Sequence, residues 1–370
     1  MNQSRKPDSR KRFGNTSRRD FLKTSAAAGA AGMLACSFPG LVLARQPGGP
    51  YPDKFRQIHN GLIVIDGTVP LISVSKNPEH FDWFIQGGAT AIGVSAAGLN
   101  YEHDMTTSIM AWFAEQIQTR PDLVLIRSAE DIRKAKRDGK LGIYYHFQGP
   151  SPLGQDLDRV WYYKQSGVGV IQLAYNTRNP YANGITERVD GGLSLLGQRL
   201  VKACNEARVI VDVAHTGARS ALDAIEASSE PVILSHGNAL GKINNGRNGP
   251  DEVLRAVAQN GGFAGAVGYP PFVSEKKQPT MDDMVGMVDY MVELMGIDHV
   301  AFGIDYDNTQ HGVMSDEDAT AMYDAYVASG AWDPAAYPEP PYYYPEGIEL
   351  PKTCLLYTSD AADERGCGGV

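Results

Sequence analysis

Cysteine and positive charge are both scarce in the body of this chain. Only four of its 370 residues are cysteine, and three of them, Cys36, Cys354 and Cys367, lie towards the two ends. The single remaining thiol, Cys204, excludes a disulfide framework as the source of stability. Residues 1–44 carry a net charge of +6, so the rest of a chain with net charge −9 carries −15. An acidic body argues against nucleic acid as a partner.

Long apolar runs are also missing. The Ala-rich stretch near the N-terminus falls short of the roughly 20 residues that a membrane-spanning helix needs, so no stable membrane span is expected. It follows Arg18 and Arg19 in "SRRDFLKTSAAAGAAGMLACSFPGLVLAR", which resembles a twin-arginine export signal. We therefore predict that residues 1–44 are a signal peptide cleaved after Ala44, and that the protein is periplasmic or secreted. A lipid anchor on Cys36 is the alternative.

The last residues have a different character from the body. From Thr353 the text "TCLLYTSDAADERGCGGV" loses the preceding periodicity and resembles translated sequencing adapter. The expected division is a signal at 1–44, a folded body at 45–352 and a tail at 353–370 that is not native. On this interpretation the closing helices of the fold are truncated.

The body alternates short apolar runs with amphipathic segments. With 43% hydrophobic residues it can form one large core. Continuous apolar runs of this length are typical of strands buried on both faces. The runs are 62–67, 91–97, 142–148, 169–175, 209–215, 231–236, 262–268 and 299–305. Eight alternations of strand and helix predict an α/β fold, a (β/α)8 TIM barrel, with a doubly wound open sheet as the alternative.

Polar residues end several of the predicted strands. Barrel enzymes place their chemistry at the carboxyl ends of strands, where His215 closes "VDVAH" and His236 closes "VILSH". Two imidazoles on successive strands indicate a metal or catalytic site more than a structural role. Asp305 in "GIDYDN" suits a carboxylate that orients water or a substrate amine, although it could instead cap the loop, and Asp307 is the local alternative.

The loop after the sixth predicted strand carries a candidate substrate ligand. Arg247 and Asn248 stand between Gly246 and Gly249 in "INNGRNGPDEV". A guanidinium there could bind a substrate carboxylate through two parallel hydrogen bonds, and a solvated loop arginine is the plainer alternative.

Several of these segments together resemble a known family. They follow the order and spacing of the membrane (renal) dipeptidases, metal-dependent barrels of the amidohydrolase superfamily, over residues 55–310. The segments are "DGTVP", "FQGP", "GVIQLAYNTRNPYANG", "GGLSLLGQRLVKACNEARVIVDVAH", "PVILSHGNA", "RNGPDEVLRAVAQNGG" and "DHVAFGIDYDN". The resemblance implies a two-zinc hydrolase of dipeptides, a homodimer by default, and His215 and His236 as ligands of the second zinc.

The other zinc ligands of the family do not carry over. The His-x-Asp motif falls on Thr68 and Pro70, and the bridging glutamate falls on Gln148. Proline has no donor atom, and glutamine lacks the charge with which one carboxylate bridges two cations. A single metal therefore remains, held by His215 and His236 with the Gln148 oxygen or with His146.

The substrate side of the family site matches better. The histidine that stabilises the intermediate in the family falls on Tyr175, whose hydroxyl can donate to a developing oxyanion. The resemblance also assigns Arg247 to the intermediate and substrate, and Asp305 to the substrate amine. We expect an exported metallodipeptidase with at most one zinc ion. The alternatives are a catalytically altered relative that matures a peptide-derived metabolite in the periplasm, and a small-peptide binding protein.

Overall fold

A computed structural model describes residues 53–306, 315–345, 347, 348 and 351. The predicted signal peptide, the predicted tail and Asp307 lie outside these residues. The strands are β1 (Ile65–Val69), β2 (Ala91–Ala97), β3 (Leu123–Leu125), β4 (Leu141–Phe147), β5 (Val168–Gln172), β6 (Ile210–Asp212), β7 (Ala264–Ala266) and β8 (Val300–Phe302).

Helices alternate with these strands in the described part of the chain. They are α1 (Asp53–Gly61), α2 (Pro70–Ser75), α3 (Glu79–Gly87), α4 (His103–Thr119), α5 (Ala129–Asp138), α6 (Arg159–Ser166), α7 (Leu195–Ala207), α8 (Ala218–Ala227), α9 (Asp251–Gln259), α10 (Pro270–Val273), α11 (Met281–Met295) and α12 (Asp316–Ala328). Their starts follow local chemistry: Ser128 and Asp131 form a capping box on α5, and Thr280 and Asp283 form one on α11. None of the helices within the described ranges is long and apolar enough to cross a membrane.

The strands run parallel and follow one another around a barrel-like ring. A six-stranded sheet has the order β1-β2-β4-β5-β6, with β3 beside β4, and β7 pairs with β8. Isolated parallel bridges from Asp212 to Ile233 and from Leu234 to Ala264 connect the two sheets. On the other side the Leu71 amide donates to the Tyr306 carbonyl at 3.0 Å, which links the chain after β8 to the chain after β1. The predicted α/β barrel of parallel strands is confirmed.

Two details of the strand prediction were wrong. The segment 231–236 lies in the ring but forms bridges instead of a ladder, because Pro231 has no N–H and the Val232 N–H bonds the Asn260 side chain. Strand β3 was not predicted, since its three residues are too few for a periodic signal. It lies along the first half of β4, and β5 lies along the second half.

The chain around Ser235 is held by close backbone packing. A Cβ atom on Gly265 or on Gly303 would lie 2.1 Å from the Ser235 carbonyl oxygen, so only glycine fits at either position. The Gly265 N–H donates to Leu234, and the Gly237 N–H donates to the Gly265 carbonyl. These contacts carry His236 to the carboxyl end of the barrel beside the end of β6.

Candidate metal and substrate site

Three residues at the carboxyl end of the barrel have left-handed backbone conformations. The φ angles are +59° at Asn176, +57° at His215 and +61° at Asp305. Such angles are uncommon outside glycine, and strained positions cluster at functional sites. The turn at Asn176 also requires Gly184, because a Cβ there would lie 1.9 Å from the Asn176 carbonyl group. The residues with positive φ therefore lie in the same region as the histidines that the sequence analysis singled out.

His215 and His236 face each other at the centre of this region. Their Nε2 atoms lie 2.8 Å apart, and both rings are buried. Nδ1 of His215 lies between an acceptor, Asn176 Oδ1 at 2.7 Å, and a donor, Arg247 Nε at 3.1 Å. The shorter contact is to an oxygen that can only accept, so it favours a proton on Nδ1 and a lone pair on Nε2.

The other histidine has its tautomer set by a chain of hydrogen bonds. Asp212 accepts the Ser235 hydroxyl at 2.6 Å, so the Ser235 oxygen is left to accept from Nδ1 of His236 at 2.8 Å. Hydrogen bonds hold the pKa of the Asp212 carboxyl below its usual value in spite of burial, and the backbone N–H groups of Ala214 and Ser235 complete its shell. Nε2 of His236 therefore also presents a lone pair.

Both imidazoles are held neutral. Burial, and then the nearby Arg247 guanidinium, hold the pKa of His215 well below its ordinary value. The same two causes lower the pKa of His236. Neutral imidazole is the form that binds a metal ion. Two lone pairs at 2.8 Å repel each other, and a cation placed between them would remove this repulsion.

His146 does not join the pair. Its Nε2 donates to Asp212 at 3.0 Å, and its Nδ1 accepts the Thr68 hydroxyl at 3.2 Å. Among the described residues there is no group of three or more His, Cys, Asp or Glu side chains that could hold a metal ion. The structure does not support His146 as a metal ligand, because both of its ring nitrogens are hydrogen-bonded, one to Asp212 and the other to Thr68.

Thr68 and Pro70 now have structural explanations. Thr68 is fully buried, and its hydroxyl contacts His146 and, at 3.3 Å, Nδ1 of His236. Pro70 is the first residue of α2, where its missing N–H costs nothing, and it lines the cavity described below. Both positions therefore supply packing and hydrogen bonding instead of metal ligands.

A cavity of about 160 Å³ opens beside His215. Gln148, Tyr175 and Asp305 line it, as the sequence analysis predicted for residues at strand ends. The Gln148 side chain donates its NH2 group to Ser95 at 3.1 Å, which leaves its oxygen as the atom able to bind a cation.

The Tyr175 ring lies flat on the His215 ring. The ring centroids are 4.1 Å apart with an interplanar angle of 20°. The Tyr175 hydroxyl accepts a hydrogen bond from Trp332 Nε1 at 3.4 Å. Burial raises its pKa well above the ordinary value, so the hydroxyl keeps its proton and can act as a donor.

Arg247 and Asn248 lie behind the histidines and do not line the cavity. The Arg247 guanidinium donates to the His236 carbonyl at 3.1 Å, its Nε lies 3.1 Å from Nδ1 of His215, and it sits over the Phe272 ring at 5.7 Å. Asn248 donates to the carbonyls of Ile243 and Phe272. Neither side chain lines the cavity, so the structure does not support the predicted direct contact of these two residues with a substrate there.

Sequence reasoning missed several residues of this site. Asp212 and Ser235 precede the two histidines closely, and their spacing could have indicated a supporting role. Asn176 follows Tyr175, and an asparagine that tolerates positive φ at a strand end is a weaker signal. Trp332 and Tyr337 come from a distant segment and gave no sequence signal.

A ring of parallel strands with paired histidines at its carboxyl end is the architecture of a metal-dependent hydrolase barrel. The sequence model for Membrane dipeptidase (Peptidase family M19) matches residues 98–326, more than half of the chain. The chain therefore belongs to the membrane dipeptidase family, and this membership implies a metal cofactor. The model for the twin-arginine translocation pathway signal sequence matches residues 15–35, so the protein is exported by that pathway.

Individual relatives agree with this family. Dipeptidase tcpJ of Claviceps purpurea (strain 20.1) is 27% identical over 221 residues, 59% of this chain and 50% of that protein. An amidohydrolase from Pseudomonas aeruginosa superimposes with a TM-score of 0.73 at 28% identity, over 84% of this chain and 92% of that one. The probable dipeptidase PvdM from the same organism has a TM-score of 0.68 at 17% identity, over 85% and 94%, and shows the fold alone. The chain spans about half the length of the curated relatives it matches.

Proposed function

We propose that this protein hydrolyses the amide bond of dipeptides or related small amides with one metal ion held by His215 and His236. One observation carries the proposal: the two Nε2 atoms face each other at 2.8 Å while each Nδ1 has a partner on its other side. Family membership and the export signal support the same activity in an exported protein.

The donor set fits a single zinc ion. Zinc binds imidazole nitrogen at about 2.0–2.1 Å with tetrahedral geometry, so the two nitrogens need to separate to about 3.3 Å. That is a movement of about half an ångström, within the range of small ring rotations. The Gln148 oxygen is our candidate for a third ligand. Thr68 and Pro70 stand where the resemblance places the ligands of another zinc ion, so a second ion is not expected.

The chain's own residues supply the rest of the chemistry. A bound zinc ion supplies Lewis acidity that activates water and polarises a carbonyl. The Tyr175 hydroxyl donates to the carbonyl oxygen as it gains negative charge. The Asp305 carboxylate, on the cavity wall, accepts a proton from the attacking water or binds the substrate amine. Arg247 bonds the His236 carbonyl behind the two rings and adds positive charge near the reacting centre.

Metal content and hydrolysis test the proposal together. We expect elemental analysis to find at most one zinc per chain, and we expect a chelator to abolish hydrolysis of a dipeptide panel. His215→Ala should lose both the metal and the activity. His299→Ala is the matched control, because Nδ1 of His299 bonds the Gly262 carbonyl at 2.7 Å and the residue lies outside the cavity lining. Two zinc equivalents, or metal retained by His215→Ala, would contradict the proposal.

Three features of the mature protein are also proposed: its first residue, the end of its folded body and its oligomeric state. We propose cleavage after Ala44, a folded body ending near residue 352, and a homodimer as in the family resemblance. The intact mass of the exported protein tests the cleavage site. Light scattering of the purified protein tests the dimer.

A further inference from the structure

The lining of the cavity beside His215 combines aromatic and small polar side chains. Six aromatic side chains of one packed cluster form what we call the aromatic wall: Tyr175, Tyr269, Phe272, Tyr326, Trp332 and Tyr337. The rest of the lining includes small neutral polar groups, among them Ser73 and Ser95. Ser73 is 7% exposed, and its hydroxyl has no hydrogen-bond partner within the described part of the chain. A buried hydroxyl without a partner beside a cavity is ready to bond a ligand.

From this arrangement we infer that the cavity selects substrates that carry one uncharged aromatic side chain. The inference rests on the proposed function, since it names the substrate class for the same site. The aromatic ring packs against the Trp332 side of the cavity, and the polar groups of the backbone face Ser73, Ser95 and Gln148.

The aromatic wall is rigid before any ligand binds. Trp332 is stacked between Tyr326, at 4.6 Å and 19°, and Tyr337, at 4.7 Å and 5°. The Asn176 amide holds this segment by donating to the Ala331 carbonyl at 2.8 Å and to the Tyr337 hydroxyl at 3.1 Å. Side chains already fixed in this way lose little conformational entropy when a ligand binds, so packing against the edges of these rings favours affinity.

Two members of this wall lie outside the part of the chain that matches the family. Trp332 and Tyr337 lie beyond residues 98–326, whereas the other four wall residues lie within them. Trp332 and Tyr337 reach the site because the segment after α12 folds back over Asn176, which is 155 residues away from Ala331 in sequence. The family match therefore does not cover these two residues.

The size and the charge of the cavity further limit which substrate side chains it can accept. At about 160 Å³ it is close to the roughly 150 Å³ that holds one benzene ring, so it has room for one aromatic ring. Asp305 is the only charged side chain among the described residues lining it. An acidic substrate side chain would meet a like charge there, and no Lys or Arg side chain among the described residues lines the cavity to pair with it, so it should be disfavoured against an uncharged side chain.

A panel of matched dipeptides tests this selectivity on the unmodified holoenzyme. L-Ala-L-Phe and L-Phe-L-Ala are compared with L-Ala-L-Ala, L-Ala-L-cyclohexylalanine and L-Ala-L-Glu. We expect kcat/KM for one of the phenylalanine dipeptides to exceed that for L-Ala-L-Ala by roughly 10- to 100-fold. Cyclohexylalanine has a similar size without a π face, so it should fall roughly 2- to 10-fold below phenylalanine.

Variants locate the selectivity on the aromatic wall. Trp332→Leu should lower the ratio of phenylalanine to alanine substrates about tenfold, and Trp332→Phe should keep most of it. Trp161→Leu is the matched control, because Trp161 is half exposed on α6 and does not line the cavity. Thermal melting of each variant separates loss of fold from loss of selectivity.

Binding measured by calorimetry with the same dipeptides separates this inference from the proposed hydrolysis. Selective binding of a phenylalanine dipeptide without turnover would support the inference while the proposed function failed. Equal kcat/KM and equal Kd for alanine and phenylalanine dipeptides would overturn the inference even if hydrolysis were present. A preference that survives Trp332→Leu unchanged would also overturn it.

Discussion

The side-chain oxygen of Asn176 lies 2.7 Å from Nδ1 of His215, while the amide nitrogen of the same side chain bonds the Ala331 carbonyl and the Tyr337 hydroxyl. The amide therefore connects the candidate metal ligand with the aromatic wall. Histidines that bind metal commonly donate their second N–H to such an oxygen, which fixes both the tautomer and the ring orientation.

Removing this oxygen should weaken metal binding. We expect Asn176→Gly to lower zinc affinity roughly 10- to 100-fold, because Nδ1 of His215 loses its acceptor. Glycine accepts the positive φ of +59° at this position, so the backbone is not strained by the change. Competition with a chromophoric chelator measures the affinity.

Asn176→Asp is the matched control for that variant. Aspartate keeps an acceptor oxygen towards His215 and also tolerates positive φ. It should retain zinc affinity, although it loses the donors to Ala331 and Tyr337. Equal zinc affinity in the glycine variant and in the unmodified protein would contradict the role that we assign to Asn176.

Ser235 should support His236 in a similar way. Ser235→Ala removes both the acceptor for Nδ1 of His236 and one donor to Asp212. We expect a 10- to 100-fold loss of zinc affinity and a loss of roughly 1–3 kcal/mol in the free energy of unfolding. Ser229→Ala, at an exposed serine in the preceding loop, is the control and should change neither quantity. Unchanged affinity in Ser235→Ala would show that Thr68 alone orients His236.

The paired histidines and the parallel barrel could be predicted from the sequence because each depends on local signals. Buried parallel strands are apolar throughout, and the residues that follow them converge at one end of the barrel. His215 and His236 each end such a run, so their meeting follows from the topology.

Other parts of the site depend on contacts that no local pattern encodes. Trp332 contacts Tyr175 across 157 positions of sequence, and its segment is polar and aromatic without a period. Arg247 has a sequence position suited to substrate binding, but its side chain turns towards the histidines and donates to the His236 carbonyl. His146 lies on the strand that leads to Gln148 in the site. Its Nε2 nevertheless bonds Asp212, at the end of β6, and is not available to a metal ion.

The Tyr175 hydroxyl should affect the chemical step more than metal binding. Tyr175→Phe keeps the ring that stacks on His215 and removes only the hydroxyl. If that hydroxyl donates to the developing oxyanion, kcat should fall roughly 100- to 1,000-fold while zinc content stays constant. Tyr162→Phe, at an exposed tyrosine on α6, is the control. A change in KM alone would assign Tyr175 to substrate packing instead.

Asp66 should make the stability of the fold depend on pH. This carboxyl is buried on β1, where one oxygen accepts the Thr68 N–H at 3.3 Å and the other has no hydrogen-bond partner among the residues that the structure describes. Burial raises the pKa of Asp66 from 3.8 to about 7. The folded state therefore binds a proton more tightly than the unfolded state, so the contribution of Asp66 to stability is complete below about pH 4 and is lost as the pH rises to about 7.

Neutralising this carboxyl tests the sign of that dependence. A pKa raised by about three units corresponds to an upper limit of roughly 4 kcal/mol at pH 8. Asp66→Asn keeps an acceptor for the Thr68 N–H without the charge, so it should raise the free energy of unfolding at pH 8 and leave it nearly unchanged at pH 4. Denaturant unfolding at both pH values measures the difference. Asp298→Asn, at an exposed carboxyl, should show no such difference. A variant that is less stable than the parent protein at pH 8 would mean that the Asp66 carboxylate is stabilised by an interaction beyond the Thr68 amide.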